Sequence, residues 1–299
     1  MLVLPDSTTK GIALDGSPAG NTWQHGDKER PMYPNETSIT TQIAHTYGTQ
    51  LSAMEALHDT VSGMLMSGQW TIQHSKRIKR FTAETMIGLL IKSCRTFRSV
   101  HVLCERGFHD DASACVRVLM ETTTAIIFIL RSNPNERAIT FQAHGLFQQL
   151  KMIREWKKTP GLKRKVSNTV LLSVERAMLE MEQHVPKGVR FRKHWSGTDN
   201  LKEALATLRG DAAYATLYRY TSSISHGSDF GGQFHTNQKT GDFEWKVEPE
   251  VGGFAAPSYA ARVLLWQAAH RIDQVLGLGY AAALSHHKLS KQDVEAGLA

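Results

Sequence analysis

The stretch ASACVRVLMETTTAIIFILR, residues 112–131, decides the fold. Val116, Val118, Leu119, Ile126, Ile127, Phe128 and Leu130 put apolar side chains on nearly every face of a helix with 3.6 residues per turn. A helix apolar almost all round must be covered on all sides, so it is expected to be the central, buried helix of a bundle. Its internal charges, Arg117 and Glu121, stand four apart and share a face.

Working outward, Gly107 interrupts the pattern before this helix, and Asp110 or Asp111 is expected to cap it by accepting from free backbone N–H groups. Upstream, Met86, Leu89, Leu90, Ser93, Cys94, Phe97 and Val100 recur at helical spacing within Thr82–Glu105. Ile43, Tyr47, Leu51, Met54, Leu57, Val61 and Leu65 do the same within Ile39–Met66. Downstream, Asn133-Pro134 ends the central helix, and Pro134 suits the first turn of another that runs to Lys157. Trp156 on that helix reads as a core residue, since bulky aromatic side chains usually bury most of their surface.

After the turn at Thr159-Pro160-Gly161 a helix is expected over Asn168–His184, followed by a loop over Val185–Gly197. Thr198 or Asp199 should cap a short helix ending at Gly210. Asp211 should start a further helix through His226, with Gly227 ending it in a left-handed conformation. Residues 228–256 are Gly-rich and irregular, with a short strand or hairpin at Phe243–Val247. Pro257 opens a last long helix through Leu276 that extends toward Leu284. The expected fold class is all-α, a bundle of about eight helices. Residues 1–38 read as a mobile arm, 39–286 as one helical domain and 287–299 as a tail.

Composition narrows the function classes. Thirty-five Lys and Arg against 28 Asp and Glu give +7, a balance that favours an anionic partner such as RNA. The N-terminus lacks a secretory signal, and the longest apolar run, Ala125–Leu130, is far short of the ~20 residues of a membrane span. A cytoplasmic location without membrane contact is the expectation. Cys94, Cys104 and Cys115 have no ligand-type spacing and sit among apolar neighbours, as reduced core thiols do. Phosphate-binding Gly loops, Gly-x-Ser-x-Gly and His-Glu-x-x-His are all absent. No cofactor and no metal site is expected. The dipeptides His58-Asp59 and His109-Asp110 are the one hint of a metal-dependent alternative, and helix termination explains the second.

The segment DAAYATLYRYTSSISHGS, residues 211–228, carries the most chemistry. Arg219 and His226 are seven apart, so on a helix they project from nearly one face, about 10.5 Å apart along the axis. Ser222 and Ser223 fall between them. A guanidinium offers a planar fork of donors for phosphate, and an imidazole takes or gives a proton near neutral pH. Cleavage of RNA by its own 2′-hydroxyl needs a base for that hydroxyl and donors for the phosphorane oxygens. Arg219 and His226 supply both without metal. The basic loop residues Lys187, Arg190, Arg192 and Lys193 are the candidate nucleic-acid contacts. Further basic clusters are Lys76, Arg77, Lys79 and Arg80, then Lys157 and Lys158, then Lys163 to Lys165. Trp156, Phe191 and Trp195 stand near the basic clusters as candidate stacking groups, beside the core reading of Trp156.

This segment resembles the Arg-x4–6-His motif of HEPN-domain proteins. Over about residues 80–280 the chain resembles more closely a bacterial family of uncharacterised helical proteins. In these an Arg-x-x-x-Glu helix precedes a Tyr-Arg-x-x-Ser-x-x-x-His-Gly-Ser segment. The matching positions are Arg117 and Glu121, Asn133-Pro134, Trp195-Ser196-Gly197, and Tyr218, Arg219, Ser222, His226, Gly227 and Ser228. The resemblance implies an all-helical homodimer that joins two Arg/His pairs, ribonuclease activity of a toxin or phage-defence type, and a regulatory protein partner. Arg117, Glu121 and Tyr218 would then support Arg219 and His226. The chain departs from active HEPN ribonucleases at Tyr220, where those carry a polar residue, and six residues separate Arg219 from His226. A non-catalytic helical module binding a nucleotide, a phosphate or a protein partner therefore stays open beside the ribonuclease.

Overall fold

The helix expected at the centre of the chain is there. It runs from His109 to Arg131 and buries Val116, Leu119, Met120, Ile126, Ile129 and Leu130. The computed structural model describes residues 33–67, 80–162, 167–208, 218–225, 234–237, 239–245 and 248–289. Within these, the order is α1 (Glu36–Met66), α2 (Arg80–Arg106), α3 (His109–Arg131), α4 (Pro134–Lys158), α5 (Asn168–Glu182), α6 (Leu201–Thr207) and α7 (Arg219–Ser225). The strands β1 (Phe234–Thr236) and β2 (Phe243–Trp245) follow, then α8 (Ala255–Leu276) and α9 (Ala281–Ser285). The fold is an all-α bundle; its two three-residue strands form an antiparallel hairpin that pairs Phe234 with Trp245.

Helices α1, α2, α3 and α8 share the main core, whose fully buried members include Met54, Phe97, Leu119, Ile126, Phe254 and Leu265. One described helix, α3, is long and apolar enough to cross a membrane by length and composition, and 67% of its apolar window is buried inside the fold. Its hydrophobicity therefore serves the core. Helices α4 and α5 pack around a smaller cluster of Ile139, Ala143, Leu150, Met178, Met181 and Phe191.

Several local expectations change. Neither Asp110 nor Asp111 caps α3: Phe108 holds the N-cap position, and both carboxylates lie inside the first turn, near the positive end of the helix dipole. Asn200, not Thr198 or Asp199, caps α6, accepting from the Glu203 N–H at 3.0 Å while the Glu203 carboxylate accepts from the Asp199 N–H. Helix α8 stops at Leu276 because Gly277 turns left-handed (φ 65°), and the buried Asp273 carboxylate accepts from the Tyr280 N–H. Trp156 is exposed, whereas Ile153, one turn earlier on α4, is buried, so the helix turns a different face to the fold. Nor is α3 covered on all sides: its N-terminal half leaves an open stripe through Asp111, Cys115 and Val118. Helix α1 begins at Glu36, three residues before the expected start. The expected arm through Met32 lies outside the described residues, as do residues 290–299 of the tail.

One connection closes tightly on the start of α3. Gly107 has φ +86°, and a Cβ there would stand 2.8 Å from the Glu250 carbonyl oxygen. The Glu250 N–H donates to the Gly107 carbonyl, and His109 Nε2 donates to the Glu250 carbonyl at 2.9 Å. This seats the segment leading into α8 against the α2–α3 turn.

Candidate functional site

Helix α7 packs on α3, and the contact is polar as well as apolar. The Arg117 guanidinium lies 3.4 Å from the Glu121 carboxylate, donates to the Tyr218 hydroxyl at 3.2 Å and stacks over the Tyr218 ring at 5.1 Å from its centroid. Tyr218 in turn hydrogen-bonds Glu121, and burial is the main cause that pushes its phenol up from 10.0. Arg117, Glu121 and Tyr218, all expected to support the site, are thus brought into one array. Its geometry also explains the four-residue spacing: one carboxylate and one guanidinium clasp a phenol from the neighbouring helix. Half-buried charges need such partners, because desolvation without them is costly.

The array fixes the start of α7. Thr221 is buried and its hydroxyl donates to the Tyr218 carbonyl, so Tyr218 and Thr221 form the inward side. Arg219 is exposed, while Ser222 and Ser223, three and four residues on, are half-buried on the same helical face. His226, with Gly227 and Ser228, lies outside the described residues.

The basic loop is less free than its sequence implies. Arg190 and Lys193 both reach Asp199, at 3.6 and 3.2 Å, and Arg192 pairs with Glu182 at 2.7 Å. Lys187 is exposed. Phe191 is buried in the smaller core, and the half-buried Trp195 packs edge to face with Phe128 of α3 and Phe141 of α4. Trp195-Ser196-Gly197 therefore anchors the loop. Gly197 is left-handed (φ +77°), and a Cβ there would meet Val189 at 2.8 Å. Of the further basic clusters, Arg80 pairs with Glu84 and Lys158 with Glu155, while residues 76–79 and 163–165 lie outside the described residues.

The His-Asp dipeptides resolve differently. His109 is buried and donates to Glu250, whereas Asp110 points out. His58 Nδ1 stands 3.5 Å from Asp59. Among the described residues no group of three or more His, Cys, Asp or Glu side chains is arranged to hold a metal ion.

Neutral histidines are part of the packing. Burial lowers the pKa of His109 and His101, with the Arg98 charge adding to the effect at His101, and it lowers His194 to about 4 with help from His144. His194 Nδ1 lies 2.7 Å from Ser196 Oγ, inside the loop anchor. As pH falls from 6.5 toward 4, the unfolded chain takes up protons that the folded one refuses, so stability falls as pH falls through that window. The urea midpoint should accordingly be lower at pH 5 than at pH 7.5. An equal or higher midpoint at pH 5 would show that these rings are protonated in the fold.

No curated protein and no solved structure matches the chain. Residues 83–243, spanning α2 to β2 and more than half of the sequence, match a family of unknown function (DUF5677), and the chain belongs to that family.

Proposed function

We propose that this protein is a HEPN-like, RNA-binding, metal-independent endoribonuclease. Arg219 clamps the scissile phosphate and His226 takes the proton of the attacking 2′-hydroxyl. The observation that carries this reading is the Arg117–Glu121–Tyr218 array. It ties α7 to the central helix at the residue before Arg219, leaving the Arg219 guanidinium exposed. A clamp must be held by its neighbours and open to its ligand, and Arg219 meets both conditions. His226 stands seven residues on in sequence, and on this reading it supplies the base that the Arg219 clamp lacks. The HEPN resemblance adds a second copy of the chain, a regulatory partner, and a toxin or defence role.

The test incubates the purified chain with mixed cellular RNA in the presence and absence of EDTA. Cleavage unaffected by EDTA is expected, since neither proposed role needs a cation. Cleavage abolished by EDTA would move the chemistry to a metal. RNA binding without cleavage would leave the non-catalytic module.

A further inference from the structure

The cations best placed to meet a phosphate chain are on α2 rather than in the basic loop. Between Glu84 and Glu105 the helix carries no carboxylate, yet Lys92, Arg95 and Arg98 are all exposed. Among the described residues, the ion pairs of α2 sit at its two ends, Arg80 with Glu84 and Arg106 with Glu36. Three of the four loop cations, in contrast, already face a carboxylate, Arg190 and Lys193 sharing Asp199 and Arg192 pairing with Glu182. A cation already facing a carboxylate releases fewer counterions when a phosphate replaces it.

Lys92 and Arg95 line a groove of about 580 Å³ between α2 and α3. Thr96 and Ser99 add hydroxyls on the same face of α2, and Ile91 and Val118 form apolar walls that remain partly open, at 42% and 37% exposure. Gly88 leaves the rim low, with nothing within 4 Å of where a Cβ would stand. Cations and hydroxyls beside open aliphatic walls suit a ligand with phosphates on one edge and unpaired bases on the other. A single strand offers both, whereas a duplex hides its base faces.

The same stretch of α3 carries both features: Val118 forms a wall of the groove, and Arg117 beside it in sequence holds Tyr218 on α7.

We infer that the α2–α3 groove is a binding track for single-stranded RNA, with Lys92 and Arg95 on phosphates and Ile91 and Val118 against bases. This rests on the RNA-binding reading above and assigns its contact surface. The experiment measures fluorescence anisotropy of a labelled single-stranded RNA with the full chain over a range of salt. The Lys92→Glu/Arg95→Glu variant should bind at least about tenfold more weakly at low salt. Its log–log salt slope should be shallower, by roughly 0.7 for each phosphate that is no longer neutralised. The Lys187→Glu/Arg190→Glu/Lys193→Glu variant changes more charge and should lose less than about threefold, because it lies off the track. Circular dichroism checks the fold of each. If the α2 double-Glu variant unfolds, Lys92→Gln/Arg95→Gln takes its place, and a loss of at least about threefold is then required.

Loss in the loop variant with none in the α2 variant would overturn the track while leaving RNA binding intact. A duplex of equal length that competes as well as the single strand would overturn the base contacts. No RNA binding by the wild type would overturn both this inference and the reading it rests on.

Discussion

Replacing His226 with alanine is expected to slow RNA cleavage by roughly 10²–10⁴-fold, the usual contribution of a positioned general base. Alanine at Arg219 should cost a similar factor, because the clamp loses the donors that meet charge developing on the phosphorane oxygens. Arg219→Lys should not restore the full rate: an ammonium keeps the charge but lacks the planar, bidentate fork. Arg219 is exposed, so its removal leaves the core intact and the rate can be read without a stability correction. Single-turnover kinetics with each folded variant is the measurement. Cleavage that persists in both alanine variants would remove the assignment.

The second large effect is structural. Phe97 is fully buried at the centre of the main core, beside the His58 ring at 6.4 Å. Phe97→Ala should lower stability by about 3–5 kcal/mol, the sum of the forfeited transfer energy and the cavity left behind. Val118→Ala, on the open stripe of α3, should change it by only about 0.5 kcal/mol or less. Denaturant midpoints with unchanged slopes would measure both. Comparable losses at the two positions would contradict the placement of one in the core and the other at the surface.

Periodicity carried most of the fold. The apolar spacing around Phe97, Leu119 and Met54 marks α2, α3 and α1, because burial repeats every 3.6 residues whatever the tertiary partners. Helix ends were less legible. Asp110, Asp111, Thr198, Asp199 and Asn200 are all competent caps by type, and only backbone conformation selects Asn200. The exposure of Trp156 depends on which face of α4 its neighbours cover, which no local pattern encodes.

The site was legible in pairs but not in its assembly. Arg117 and Glu121 can be read as one face of a helix, and Tyr218-Arg219 as the start of a motif. Their meeting through the Tyr218 hydroxyl and ring joins residues 101 apart in sequence. The pairing of Arg190, Arg192 and Lys193 with Asp199 and Glu182 is likewise a property of the folded loop. The α2–α3 groove could have been suspected from the absence of carboxylates between Glu84 and Glu105, a signal overshadowed by the denser basic runs elsewhere. Its walls belong to two helices and come together only on folding.

The most direct measurement is the chemistry of the cut ends. A defined RNA oligonucleotide is incubated in EDTA with the wild-type chain and with folded His226→Ala, and the products are weighed by mass spectrometry. Attack by the 2′-hydroxyl, with His226 as its base and Arg219 on the phosphate, leaves a 2′,3′-cyclic phosphate on one fragment and a 5′-hydroxyl on the other. The wild type should produce that pair of ends and His226→Ala should not. Fragments ending in a 3′-hydroxyl and a 5′-phosphate would contradict the account, because water rather than the 2′-hydroxyl would then be the nucleophile.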